Sequence, residues 1–380
     1  MKAIINATVV MLDHLIPNGV ILIDGEVISA VGPAKKVKIP EGAEIIDAEG
    51  YYVGPGLVDI HTHASDNMWI YEEPKKTSEY MLSHGVTSVL PALYNNLNKD
   101  AYIKAADDII KAHERGDFKN FAGFYMEGPY LSPNFGCERD KNVWKDAVIR
   151  DEYIEVVEKV KDTAKVWCFA PEREGIMEFV KDVKRLIPDI TFAVAHSEAP
   201  PEQVEKFIPY GLRIATHHTN ATGTIPHYSE CRGVCVDEAV NYNSEIYAEI
   251  ISDRMGIHVL PYMQRLVRKI KGDDKIILIS DQFVCDGPVP EGFEEATDLH
   301  FDNAGEIAGS GLTLDVACRN YMVHTGCSMT DVFKAASLNP AKAAGLEKRG
   351  AIREGNYADL IMVDDKFNVK NIIFKGEKYE

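Results

Sequence analysis

Through most of this chain, apolar runs of strand length alternate with segments of helical character, and several runs stop at a histidine or a carboxylate. "GVTSVLPAL" precedes "KDAYIKAADDIIKAHERG", "FAGFYMEGPYL" precedes "DEYIEVVEKVKDT", "AKVWCFAPE" precedes "GIMEFVKDVKRLIP", and "ITFAVAHSEA" precedes "PEQVEKFIPYG". "LRIATHH", "EIIS", "GIHVLP" with "YMQRLVRKIKGD", and "KIILISDQF" continue the series. Such an order makes neighbouring strands parallel, because each crossover helix returns the chain to the same end of the sheet. About eight units fit within residues 54–345, a length that suits an α/β fold of the (β/α)8 TIM-like barrel type. An open doubly wound sheet is the alternative, but no Gly-rich dinucleotide loop follows a strand.

The two ends have another character. Residues 1–53 and 346–380 carry short β-branched runs broken by Gly, Asn and Asp, as in "KAIINATVVM", "GVILIDGEVISAVG" and "ADLIMVDDKFNVKNIIF". The expectation is a small β-sandwich domain formed from both termini, beside a barrel domain over 54–345.

Charge narrows the function. The formal net charge is -18, from 41 basic and 59 acidic residues, and no dense Lys/Arg cluster occurs, which argues against nucleic acid as a partner. An anionic small molecule stays possible, since a few local cations can dominate a pocket. The seven cysteines are odd in number and scattered, unlike a disulfide framework, and Cys231 and Cys235 lack the second close pair of a zinc knot. No run approaches the ~18 apolar residues of a membrane span, and "MKAIINATVVML" is unlike a signal peptide. The expectation is a cytoplasmic protein with no membrane partner.

Chemistry concentrates at the strand ends. "GLVDI" leads to His61 and His63, "FAGFYM" to Glu127, "TFAVA" to His196, "LRIAT" to His217 and "KIILIS" to Asp281. In a β/α barrel those ends form one face, so residues far apart in sequence converge. His61 and His63 are two apart, which aims both at one side of an extended strand. Several imidazoles with carboxylates suit Zn²⁺ or Fe²⁺ better than Mg²⁺ or Ca²⁺, which prefer oxygen shells. His84 and His113 read as helical and structural. His218 would point away from His217, and His258 in "GIHVLP" divides evenly between packing and substrate contact.

These segments, together with "MEGPYLSP", "THHTNATG", "AGSGLTLDVACRNYM" and "ASLNPAKAAGLEKRGAIREGNYADLIMVD", resemble the amidohydrolase superfamily and, within it, the N-acetylglucosamine-6-phosphate deacetylase branch. The resemblance covers roughly residues 50–365. It implies one or two divalent ions, Zn²⁺ or Fe²⁺ foremost, with Mn²⁺ or Co²⁺ compatible. His61 and His63 would hold one ion, His196 and His217 the other, and Glu127 would serve one or both. Asp281 would be a further metal ligand and would act as general base and then general acid. Asn220 and Ala221 would meet the phosphate end of an amino sugar, and His258 the oxyanion or the sugar. The implied reaction converts N-acetylglucosamine 6-phosphate to glucosamine 6-phosphate and acetate, in a homodimer. The chain departs from the branch after His63, in "ASDNMWIYEEP", and after Ala221, in "TGTIPHYSECRGVCVDEA". There Arg232 or His227 would replace the usual arginine. Hydrolysis of another acetamido sugar or a cyclic amide is the main rival, and a non-catalytic metal-binding protein the minor one.

Overall fold

A computed structural model describes residues 1–223 and 227–379. Eight parallel strands form its centre: Leu57–Thr62, Val86–Tyr94, Phe124–Glu127, Ala164–Phe169, Thr191–Val194, Leu212–Ala215, Tyr247–Ile251 and Ile276–Ile279. Each pairs with the next in sequence. The last strand returns beside the first, where the Asp281 amide donates to the His61 carbonyl at 3.0 Å. The result is a nearly closed β/α barrel. Its strands are buried on both faces, and all nine residues of Val86–Tyr94 are inaccessible, which is why they read as apolar runs without alternation.

Helices cover the barrel by their apolar stripes. Lys99–Glu114 buries Tyr102, Ala105, Ala106, Ile109 and Ala112, the i, i+3, i+4, i+7 pattern of a helix facing one core. Asn98 caps it by accepting the Ala101 amide at 3.0 Å. "GIHVLP" breaks the sequence expectation of a strand. The Asp253 carboxylate takes the amides of Ile257 and His258 at 2.8 and 2.9 Å, leaving no ladder for them to join. Pro261 then starts the helix Pro261–Lys271.

Both chain ends contribute to a second, mixed sheet. Its order is Glu377–Tyr379, Val369–Phe374, Leu360–Val363, Tyr52–Pro55, Lys2–Val10, Leu15–Asp24, Val27–Pro33, with Glu44–Asp47 also on Lys2–Val10. Alternate residues feed two clusters: Ile4, Ile21 and Ile23 on one face, Ala3, Val20 and Leu22 on the other. Tyr52–Pro55 runs straight into the first barrel strand. A Cβ on Gly54 would lie 2.2 Å from the Phe333 ring, and one on Gly56 would lie 2.1 Å from Thr87 Oγ1, so the junction requires glycine at both positions. Among the described residues no helix is long and apolar enough to cross a membrane, and all seven cysteines are free.

Candidate metal centre and active site

His61 and His63 lie at the end of the first barrel strand, and Glu127 is the last residue of the third. His196, His217 and Asp281 each sit two residues beyond a strand, with φ of 41°, 31° and 48°. For non-glycine residues that left-handed backbone costs roughly 1–3 kcal/mol each, a strain that clusters where surroundings force a side chain into a site. Here it turns all three side chains inward at the same mouth of the barrel.

The six side chains meet around Glu127. Its Oε2 lies 2.9 Å from His63 Nε2 and 3.4 Å from His61 Nε2. Its Oε1 lies 2.9 Å from His196 Nε2 and 3.2 Å from His217 Nε2. Two groups able to hold a metal therefore share one carboxylate: His61, His63 and Glu127, and Glu127, His196 and His217. Asp281 Oδ1 adjoins the first at 3.4 Å from His63 and 3.6 Å from His61.

The donor set fits divalent ions. The Nε2 atoms of His196 and His217 face each other at 3.0 Å, both beside the same carboxylate oxygen. Protons alone satisfy such a cluster only by charging buried rings, whereas a divalent ion accepts every lone pair. His61 Nε2 is buried with no hydrogen-bond partner. The opposite nitrogens fix the tautomers: His61 Nδ1 donates to Glu249 at 3.1 Å and His63 Nδ1 to the Ala92 carbonyl at 3.1 Å, leaving Nε2 lone pairs aimed inward. Without an ion, burial pushes the Glu127 carboxyl up, but protonated His61 and hydrogen bonds from His196 and His217 outweigh it and hold the group well below the usual range. Asp281 is likewise raised by burial and lowered further by His61 and His63 when their rings are protonated.

Residues that the sequence reading passed over hold this cluster in place. Asp59 accepts from Ser280 Oγ at 2.6 Å, bracing the first strand against the turn that carries Asp281, and burial raises its carboxyl to about 7. Glu249, fully buried, also accepts the His217 amide at 3.2 Å. Tyr125 stacks on His61 with centroids 4.3 Å apart. Two signals were present: Asp59 keeps the two-residue spacing of His61 and His63, and Glu249 is a charge inside an apolar strand. Glu249→Gln keeps an acceptor but loses the charge that makes His61 a stronger ligand. Metal affinity should fall about tenfold, the low end for such supporting groups, measured by competition with a chelator.

A cavity of about 500 Å³ opens onto the cluster, within the usual range for small-molecule sites. Asn220, Ala221 and His258 line it, with Tyr94, Phe135, Gly136, Cys137, Arg139, Ile251, Phe283, Glu306 and Ile307. Gly136 presses on the centre: a Cβ there would lie 2.4 Å from Tyr94 Oη and 3.0 Å from His196 Nδ1, at φ +93°. Arg232 and His227 do not line this cavity. Both are exposed, and Arg232 pairs with Glu238 at 2.6 Å. His218 is buried away from the cluster, 3.5 Å from Asp237, and burial lowers it to about 4.

Comparison with known proteins agrees with this picture. An Amidohydrolase family model matches residues 265–378. The chain is 27% identical to an N-acetylglucosamine-6-phosphate deacetylase of Haemophilus influenzae, covering 99% of this chain and 98% of that one. It is 24% identical to an N-acetylgalactosamine-6-phosphate deacetylase of Escherichia coli O157:H7, over 92% of each. Among solved structures, the N-acetylglucosamine-6-phosphate deacetylase of Pasteurella multocida superposes with a TM-score of 0.83 at 25% identity, over 100% of this chain and 99% of that one. The resemblance read from the sequence motifs recurs in all three comparisons.

Proposed function

We propose that this chain, a relative of those deacetylases, is a metal-dependent hydrolase that removes the acetyl group from an N-acetylated amino sugar phosphate, with N-acetylglucosamine 6-phosphate as the leading substrate. The observation that carries the reading is Asp281, a buried carboxylate at the edge of two His/Glu groups that share Glu127 and face a cavity of sugar size.

His61, His63, Glu127, His196 and His217 would hold one or two ions, Zn²⁺ or Fe²⁺ by the softness of the donors, with Mn²⁺ and Co²⁺ compatible. When bound, a divalent ion supplies Lewis acidity, lowering the pKa of water and polarising an amide carbonyl. Asp281 accepts the proton of the attacking water. The water oxygen bonds to the acetyl carbon, the carbon–nitrogen bond breaks, and Asp281 returns the proton to the amine. His258, with one face to the cavity and its amide held by Asp253, is placed to contact the sugar or the carbonyl oxygen.

A homodimer belongs to the same reading. Tyr228, Val234 and Tyr242 expose large apolar side chains on the segment that also carries Arg232. A contact there would remove them from water and aim Arg232 at the neighbouring subunit.

The apolar walls Phe135, Ile251, Phe283 and Ile307 favour a second reading, hydrolysis of a less polar acetamide or cyclic amide. Acetate release by metal-loaded protein separates the two. Fast acetate release from N-acetylglucosamine 6-phosphate, compared with its galactosamine epimer, is expected, with small cyclic amides, which release no acetate, assayed alongside for ring opening. Turnover of a cyclic amide alone would replace the first reading by the second.

A further inference from the structure

Among the described residues that line the cavity, Arg139 is the one lysine or arginine. It lies three residues beyond Gly136, so its backbone is within about 10 Å of that glycine, where an added Cβ would lie 3.0 Å from His196 Nδ1. A hexose with an acetamide on one side and a charged group on the other bridges such a span. Arg139 Nη1 donates to the Asn134 carbonyl at 3.2 Å, and its Nη2 donates to Glu306, which lines the same cavity.

One buried group positions both partners. The Asp302 carboxylate accepts the amides of Glu138 at 3.1 Å and Glu306 at 3.0 Å, so the residue before Arg139 and Glu306 itself hang from a single anchor. The Arg139–Glu306 pair is 41% and 42% exposed. A pair so wet contributes little, and an incoming anion can exchange for the glutamate at small cost. A guanidinium also matches a phosphate with two parallel hydrogen bonds, which a lone carboxylate contact here does not use. Arg232, expected from sequence to serve this purpose, does not line this chain's cavity; it is 82% exposed, pairs with Glu238 and would reach a phosphate only across a subunit contact.

We propose that Arg139 is the specificity-determining residue for the phosphate end of the substrate, and that Glu306 is its resting counter-ion, displaced when the phosphate enters. This deepens the deacetylase reading and rests on it. The cation then comes from the same chain as the metal groups, and Glu306 repels anions that cannot replace it.

The test compares wild type, Arg139→Gln, Glu306→Gln and Arg232→Gln on N-acetylglucosamine 6-phosphate and on unphosphorylated N-acetylglucosamine. Calorimetric titration with inorganic phosphate runs alongside, and thermal melts confirm folding. Arg139→Gln should lower kcat/KM for the phosphate ester at least 30-fold, chiefly through KM, and abolish the preference over the unphosphorylated sugar. Glu306→Gln should lower that KM severalfold. Retained preference in Arg139→Gln, or its loss in Arg232→Gln alone, overturns the proposal. If wild type hydrolyses neither sugar, the deacetylase reading fails on its own. The phosphate titration then decides: binding lost in Arg139→Gln keeps the anion site, and no binding by wild type removes it.

Discussion

Asp281→Asn is expected to lower acetate release by 10²–10⁴-fold, the span attributed to a positioned general acid–base group, while the protein keeps its metal. Asparagine is nearly the same size and can fill the turn after Ile276–Ile279, although the φ of +48° there favours asparagine as much as aspartate. What would disappear, on the proposed mechanism, is the ability to take a proton from water and return it to the amine. His61, His63, Glu127, His196 and His217 are unchanged, so metal stoichiometry measured by elemental analysis should match wild type. Activity within threefold of wild type would falsify the proton-transfer role of Asp281. Loss of metal along with activity would make it a ligand first.

Glu127→Gln should be more severe in a different way. Each carboxylate oxygen serves a different histidine pair, Oε2 facing His61 and His63, Oε1 facing His196 and His217. Glutamine keeps one oxygen and replaces the other with an NH2 group, which donates and cannot ligate. One group of three therefore loses its carboxylate whichever way the amide is turned, and the site loses a full negative charge. Bound metal should fall well below the wild-type stoichiometry, and turnover should fall more than 100-fold. The thermal midpoint supplies a second reading. A ligand at 100 times its dissociation constant stabilises by about 2.7 kcal/mol, so wild type should melt several degrees lower after chelation, while Glu127→Gln should show little difference between treated and untreated protein.

The barrel and the convergence of His and Glu side chains at its mouth were legible because both are written in local pattern. Eight buried parallel strands read as apolar runs, and their C-terminal ends are fixed by where those runs stop at His61, Glu127, His196, His217 and Asp281. The two-residue spacing of His61 and His63 needs no tertiary information. The cavity walls were not legible in the same way. Gly136, Cys137, Arg139 and Ile307 come from connections whose paths depend on long-range anchors such as Asp302, which joins residue 138 to residue 306. "GIHVLP" misled for a related reason: its apolar content suits a strand, but the Asp253 carboxylate captures its amides. Arg232 had the right chemistry in the right stretch, yet its position relative to the cavity is set by a loop, which no pattern of residue types encodes.

The mixed sheet has a consequence for how the protein is made. Tyr52–Pro55 finds its antiparallel partner only in Leu360–Val363, with Pro55 opposite Leu360. At ribosomal speeds of ~5–20 residues per second, roughly 15–60 s separate the emergence of the two strands. Throughout that interval one hydrogen-bonding edge of Tyr52–Pro55 has no native neighbour, and an open strand edge is a template for pairing with another chain. The barrel can assemble while the amino-terminal strands wait. Soluble yield should therefore respond to translation rate and nascent-chain crowding, through an edge that the finished molecule no longer shows.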